Sequence, residues 1–329
     1  MRPIHWGVVG TGRMAAALTE AIASLPPQEA RVIGVASRDR HKAASFASRH
    51  GILAREGLDE LLAIAELDAV YIATPHTEHH RGMLAAIAAR KAVLCEKPFT
   101  INAMQASEVI EAARAAGVFV MEAMWTRFLP SLIALRESLA AGTLGPLQML
   151  VGGGAFLPDR QSGHYLLDPH RGGGALLDAG VYLVSLASLL LGPPSNIHAT
   201  GIIGPTGVDE QHSVLLQYPT GAAACLYVSL QARRSPDLEI LGRNGRARLE
   251  APVFRPARIT WWDADGRESV RDYPIAGSGY AAQVLAVNEA LRAGRTCCEV
   301  MHPRESLEIM RTLDAIRAQL GLVYPCERT

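Results

Sequence analysis

Aromatic side chains are few in this chain: Phe, Trp and Tyr together make up 5% of its 329 residues. Its cores must be built from aliphatic residues, for which a hydrophobic share of 49% is ample, and the length suits two domains. An excess of either charge is also missing. Lys plus Arg and Asp plus Glu number 32 each, which removes any bulk attraction to nucleic acid or to an anionic membrane surface. Cysteine is scarce and unpatterned. Cys95, Cys225, Cys297, Cys298 and Cys326 are odd in number and lack the paired spacing of zinc sites, so neither a metal site nor a disulfide framework is expected. The longest apolar runs, such as Val181 to Leu191, contain Tyr and Ser and fall short of the roughly 20 residues a membrane span needs. A first strand from Ile4 leaves no room for a signal peptide, so the expected location is cytoplasmic.

From residue 4 to about 122, short apolar runs alternate with alanine-rich helical patterns, as in a parallel sheet flanked by helices. Strands are expected at Ile4–Val9, Arg31–Ser37, near Ile52, and at Ala69–Ala73, Ala92–Cys95 and Val118–Met121. Beyond this the pattern changes. Trp125 to Ala141 reads as a linking helix interrupted by Pro130, and Gly172–Leu190 as a second helix. The run Ala224 to Gln231 alternates Ala, Leu, Val and Leu with Cys, Tyr, Ser and Gln, and similar runs follow up to Tyr273. The expected architecture is a doubly wound α/β Rossmann domain over 1–122 and an α+β domain with a large open, mainly antiparallel sheet over 123–329. The last helix, about 304–320, is expected to pack back on the first domain.

The first strand runs into Gly10-x-Gly12-Arg13-Met14-Ala15 and then a helix. Gly10 permits the tight turn, Gly12 lets backbone approach a pyrophosphate, and small Ala15 lets the helix pack on the strand. The helix start points free N–H groups at the anion. At the end of the second strand, Ser37 stands where an acid would read the ribose of NAD. Arg38 follows it, and Lys42 lies four residues on, suited to a 2′-phosphate. NADP is favoured; Asp39 keeps NAD open.

Three further constellations carry chemistry. Glu96-Lys97-Pro98 follows a buried strand, at the carboxyl edge where open α/β sheets bind ligands, and Lys97 there could move a hydroxyl proton while a hydride moves. Asp178 and Tyr182, spaced i, i+4 after the run Gly172-Gly173-Gly174, could together orient a hydroxyl. Thr74, Pro75, His76 and His79 follow the fourth strand at the same edge, and Trp125 and Phe156 offer apolar walls for a carbon-rich substrate.

The strings Ala92 to Pro98, Met121 to Phe128 and Leu177 to Tyr182 resemble the glucose–fructose oxidoreductase, inositol dehydrogenase and rhizopine-catabolism family, and within it the dimeric dihydrodiol dehydrogenases. The likeness spans nearly the whole length. It implies an NADP-dependent oxidoreductase acting on a CH–OH of a cyclic sugar or diol, with Lys97 catalytic and Asp178 and Tyr182 assisting. His76, Trp125 and Phe156 would border the substrate, and Arg38 and Lys42 would hold the 2′-phosphate. It also implies a homodimer through the open face of the second sheet, or a tetramer of such dimers. Many family members carry His where Tyr182 stands. Two departures bear on the substrate: Val151-Gly152-Gly153-Gly154, which reads as an unusually flexible strand next to Phe156, and His164-Tyr165 ahead of Asp168. The alternatives are an NAD-dependent sugar or inositol dehydrogenase, and a non-catalytic NADP sensor like a transcriptional repressor of the same family.

Overall fold

The computed structural model describes residues 2–160 and 163–328. The chain folds as two compact units: everything up to Trp125 with Ala276–Leu307, and Thr126–Ile275 with the chain from Glu308.

The first unit alternates strand and helix: β1 Ile4–Val9, α1 Arg13–Ala23, β2 Ala30–Ser37, α2 Arg40–His50, β3 Leu53–Glu56, α3 Leu58–Leu62, β4 Ala69–Ile72, α4 His79–Ala88, β5 Ala92–Cys95, α5 Ala103–Ala116 and β6 Val120–Glu122. All strand pairs are parallel, in the order β3-β2-β1-β4-β5-β6. The order reverses between β1 and β4, and that crevice is where a doubly wound sheet takes its ligand. Strands β4 and β5 are buried at every residue, as a sheet covered on both faces requires. Asn102 caps α5 by accepting the Gln105 N–H at 2.9 Å, and Gly117 ends it with φ 62°.

In the second unit follow α6 Pro130–Ala140, β7 Leu147–Ala155, α7 Val181–Leu191, β8 Asn196–Ile203, β9 Asp209–Gln217, β10 Ala223–Ser229, β11 Arg234–Gly242, β12 Gly245–Leu249, β13 Arg258–Trp262 and β14 Glu268–Asp272. The eight strands run β14-β13-β12-β11-β7-β10-β9-β8 and are antiparallel except for β7 beside β10. The chain then re-enters the first unit with α8, Ala281–Arg292, and closes with α9, Pro303–Leu320, whose body from Glu308 belongs to the second.

Several expectations are corrected. The parallel-sheet unit takes in α8 and also the first residues of the last helix, up to Leu307. Asn288 of α8 accepts the buried Trp6 indole N–H at 3.1 Å and donates to Glu29 O at 3.2 Å, and Arg292 pairs with Glu29 at 2.6 Å. In α9, Gln319 instead holds Ile197 O and the Ala199 N–H of β8. Pro130 opens α6 at its first turn, where its missing N–H costs nothing, instead of interrupting a longer helix. By length and composition Pro169–Leu191 passes for a membrane-spanning stretch, but Gly172–Gly174 interrupt it and the continuous helical part begins only at Leu176. Most of it is buried inside the protein, as a core helix is.

The glycine run in β7 is not flexible. It lies at the centre of the sheet between β11 and β10. A methyl group at Gly152 would stand 2.5 Å from Asp237 O, and one at Gly153 would collide with Tyr227 O. The run brings neighbouring backbones close, and all three glycines are buried. Gly153→Ala should therefore destabilise the protein by about 1–3 kcal/mol, the usual cost of overpacking. An unchanged urea midpoint would contradict this.

Candidate active site

At the end of β1, Gly10 has φ 110°, and a methyl group there would stand 2.5 Å from Ala73 O beyond β4. Only glycine fits this turn at the switch point. Next to it, Gly12 precedes α1, and no atom of the described residues lies within 4 Å of where a methyl group on it would stand. The start of α1 has no side-chain cap and no acid in its first turn, so its N–H groups and positive dipole end are available to an anion. Thr74 Oγ1 is buried at the neighbouring strand end and has no hydrogen-bond partner among the described residues. These features fit a dinucleotide whose pyrophosphate lies against α1.

At the end of β2, Ser37 Oγ accepts the Asp39 N–H at 3.2 Å, and Asp39 caps α2 by accepting the Lys42 N–H at 3.1 Å. That N–H is the main cause holding the Asp39 carboxyl below its ordinary pKa. Asp39 is therefore engaged by its own helix. Arg38 and Lys42 are largely exposed; Arg38 pairs with Glu78 at 3.2 Å and Lys42 with Asp39 at 3.6 Å. Exposed pairs of this kind are weak and exchange readily for a phosphate.

The loop after β5 carries Lys97, partly exposed, with a cis bond to Pro98. Around it the backbone is fixed by buried groups. Glu96, 5% exposed, accepts the hydroxyl of fully buried Tyr71, and Glu122 accepts the Phe99 N–H at 3.0 Å. Burial and the adjoining Glu96 push the Tyr71 phenol far above its usual value, so it stays a donor. Cys95 is also buried, with its thiol pushed up by burial and by both carboxylates, which leaves it inert. His79, expected at the cofactor, has both ring nitrogens against carbonyls: Nδ1 at 2.9 Å from Pro98 O and Nε2 at 3.1 Å from Thr74 O. A neutral ring has a single N–H, so it donates to one of these carbonyls and packs its other nitrogen against the second, between the two edge loops. His76 stands edge-on to it with ring centroids 5.7 Å apart.

Trp125 is buried, packed on Tyr280 with centroids 4.5 Å apart, and the Tyr280 hydroxyl reaches Met14 Sδ at 4.0 Å. The sequence reading passed over Tyr280. Its signal was an aromatic directly after the Gly277-Ser278-Gly279 turn and ahead of a helix.

In the second unit, Asp178 lies in a π-turn, Leu176–Gly180, that precedes α7, so Gly172–Gly174 form the approach rather than helical turns. Such turns are rare and concentrate at functional sites. Asp178 Oδ1 accepts the Tyr165 hydroxyl at 3.2 Å, an interaction not anticipated. His164, singled out instead, stacks on Tyr165 at 4.9 Å and uses Nδ1 to accept the Leu166 N–H at 3.3 Å. Tyr182 lies 5.7 Å from the half-exposed Phe254 ring, and Phe156, partly exposed, anchors its N–H on Ser229 O at 2.9 Å.

A parallel sheet in this order with a glycine turn at its switch point is the arrangement of a dinucleotide-binding domain. Residues 4–124 match the oxidoreductase family with an NAD-binding Rossmann fold, and residues 132–248 the GFO/IDH/MocA C-terminal domain. Trans-1,2-dihydrobenzene-1,2-diol dehydrogenases of Mus musculus and Bos taurus are 34% and 33% identical over 336 and 337 residues, 99% of this chain and of each relative. A 3-ketoreductase from Actinomadura kijaniata, solved with NADP and TDP-benzene, is 27% identical with a TM-score of 0.86, covering 97% of this chain and 98% of its own. The chain belongs to the GFO/IDH/MocA oxidoreductase family.

His79 has a pH consequence. Burial, aided by the charge of Lys97, pulls its pKa below the ordinary imidazole value despite the two carbonyls. As pH falls, the unfolded chain binds this proton first, so the stability the neutral ring contributes is present above the ordinary value and lost below it. Stability should fall as pH drops below the ordinary imidazole value, by up to about 1.4 kcal/mol per pH unit for this one proton. In His79→Gln the slope should be shallower; equal slopes of denaturation midpoint against pH in the two proteins would contradict this.

Proposed function

We propose that the protein reversibly oxidises a CH–OH group of a cyclic sugar or diol with NADP, Lys97 moving the hydroxyl proton. The observation that carries this reading is the lysine's place: beyond β5 at the carboxyl edge, on a loop held by Glu96, Glu122 and His79. Ligands of a doubly wound sheet lie at that edge, and a proton-transfer group must be aimed to be useful. When bound, NADP supplies the hydride acceptor.

The chain's own residues divide the remaining work. Gly10, Gly12, Arg13 and Met14 cradle the pyrophosphate, with Thr74 and Pro75 beside them. Ser37, Arg38 and Lys42 take the 2′-phosphate, and Asp39 spends one carboxylate oxygen on capping α2. Asp178 accepts from the substrate hydroxyl and, with Tyr182, orients it. Tyr165 holds the Asp178 carboxylate in that role. His76, Trp125 and Phe156 border the ring-shaped substrate. The identity of the relatives supports a diol or sugar as that substrate, since the curated ones act on a cyclic diol and the 3-ketoreductase holds NADP.

Two substitutions test the assignment. Lys97→Ala should lower turnover by about a hundredfold or more while NADPH binding, followed by fluorescence, stays within about twofold; near-normal turnover would remove Lys97 from the chemistry. Arg38→Ala should weaken NADP by about tenfold or more, the scale of a charge-assisted contact, and leave NAD little changed. If wild-type protein bound NAD more tightly than NADP, and Arg38→Ala made no difference, the cofactor assignment would be wrong.

A further inference from the structure

Beneath the helix that carries Asp178 lies a buried acid–imidazole pair with no role so far. Asp209 and His212, both on β9, are 0% and 2% exposed, and His212 Nδ1 is 3.0 Å from Asp209 Oδ2. The same oxygen accepts the Leu176 N–H at 2.8 Å. Leu176 opens the five-residue π-turn and Gly180 closes it. A methyl group on Gly180 would meet His212 Nε2 at 3.1 Å, so the ring packs directly against that end. The pair therefore sits at both ends of the turn in whose middle Asp178 stands. The approach is held as well: Gly174 N–H donates to Leu166 O at 2.8 Å and the buried Tyr324 hydroxyl to Gly173 O at 2.7 Å.

A π-turn has poorer internal hydrogen bonding than an α-helix and drifts unless something outside holds it. A buried carboxylate is a costly way to satisfy one N–H and one imidazole, and an apolar core of the same shape would serve folding as well or better. The expense is understood if the position of the turn matters more than its stability. We propose that Asp209 and His212 are positioning residues for the reaction, fixing the π-turn so that Asp178 meets the substrate hydroxyl in a productive geometry. The proposal rests on the oxidoreductase reading of Asp178.

In Asp209→Ala, kcat should fall about tenfold or more, the loss expected when a buried N–H and imidazole lose their acceptor. NADPH affinity should stay within about twofold, because the parallel-sheet residues that would bind it are untouched. Asp209→Asn, which keeps an acceptor for Leu176, should recover most of the loss. The cycle with Asp178→Asn is decisive: if the pair acts through Asp178, Asp209→Ala should cost little further kcat in that background. Losses that multiply would assign Asp209 a purely structural role and overturn the proposal. Should Asp209→Ala fail to fold, His212→Gln carries the same cycle, with the same non-additivity expected. Amide exchange over residues 175–182 should quicken about tenfold in Asp209→Ala or His212→Gln while the rest of the sheet is unchanged. That readout needs no turnover. If the wild-type protein oxidised no sugar or diol, the functional reading would fail, whereas unchanged exchange in the variants would overturn the positioning role by itself.

Discussion

The structure of the parallel-sheet unit turns on how the loop carrying Lys97 is tied down. A lysine two residues past a buried strand would ordinarily swing on a mobile turn. Here Glu96 is held by the Tyr71 hydroxyl, the carbonyl of Pro98 faces His79, and the N–H of Phe99 is taken by Glu122. Two carboxylates and an imidazole have been brought out of water for this, which is unfavourable unless each is satisfied by a well-placed partner. The same imidazole reaches the carbonyl of Thr74. It therefore joins the Lys97 loop to the switch-point loop against which Gly10 packs. The glycine turn that fits a pyrophosphate and the loop that carries Lys97 thus meet at His79 on one edge of the sheet.

The second unit solves a comparable problem by different means. Its sheet is wide and open, and its central strand uses glycines to let three backbones approach. On this platform the π-turn carries Asp178, steadied at its side chain by Tyr165 and at its backbone by Asp209. In both units a candidate site residue stands on irregular backbone that is immobilised from buried positions, which is how a site gains precision without a regular element beneath it.

The legible part of this chain was the part where burial and turn chemistry agree. Strands β1 and β5 occur where the sequence places them, because their apolar runs end at Gly10 and Glu96. Strand β8 escaped notice, since only alternate residues in its first half are even partly covered. The glycines of β7 read as slack because sequence does not show what lies beside them. The motifs at Gly10, Lys97 and Asp178 were visible as spacing, but their supports were not. Tyr165, Asp209, His212 and Tyr280 stand in no local pattern with the groups they touch, and Tyr280 meets Met14 across 266 positions. His79 shows the converse: a histidine beside a ligand motif invites a ligand role until both its nitrogens are found on carbonyls.

The central claim is that a tethered Lys97 moves the substrate's proton, and chemical rescue tests it most directly. Small primary amines supplied to Lys97→Ala with NADP and a sugar or diol substrate should restore turnover in proportion to the free-base concentration, and more effectively as amine basicity rises. If no amine raised turnover in a variant that still binds NADPH normally, the proton would be moved by another group and the account of this edge would be contradicted.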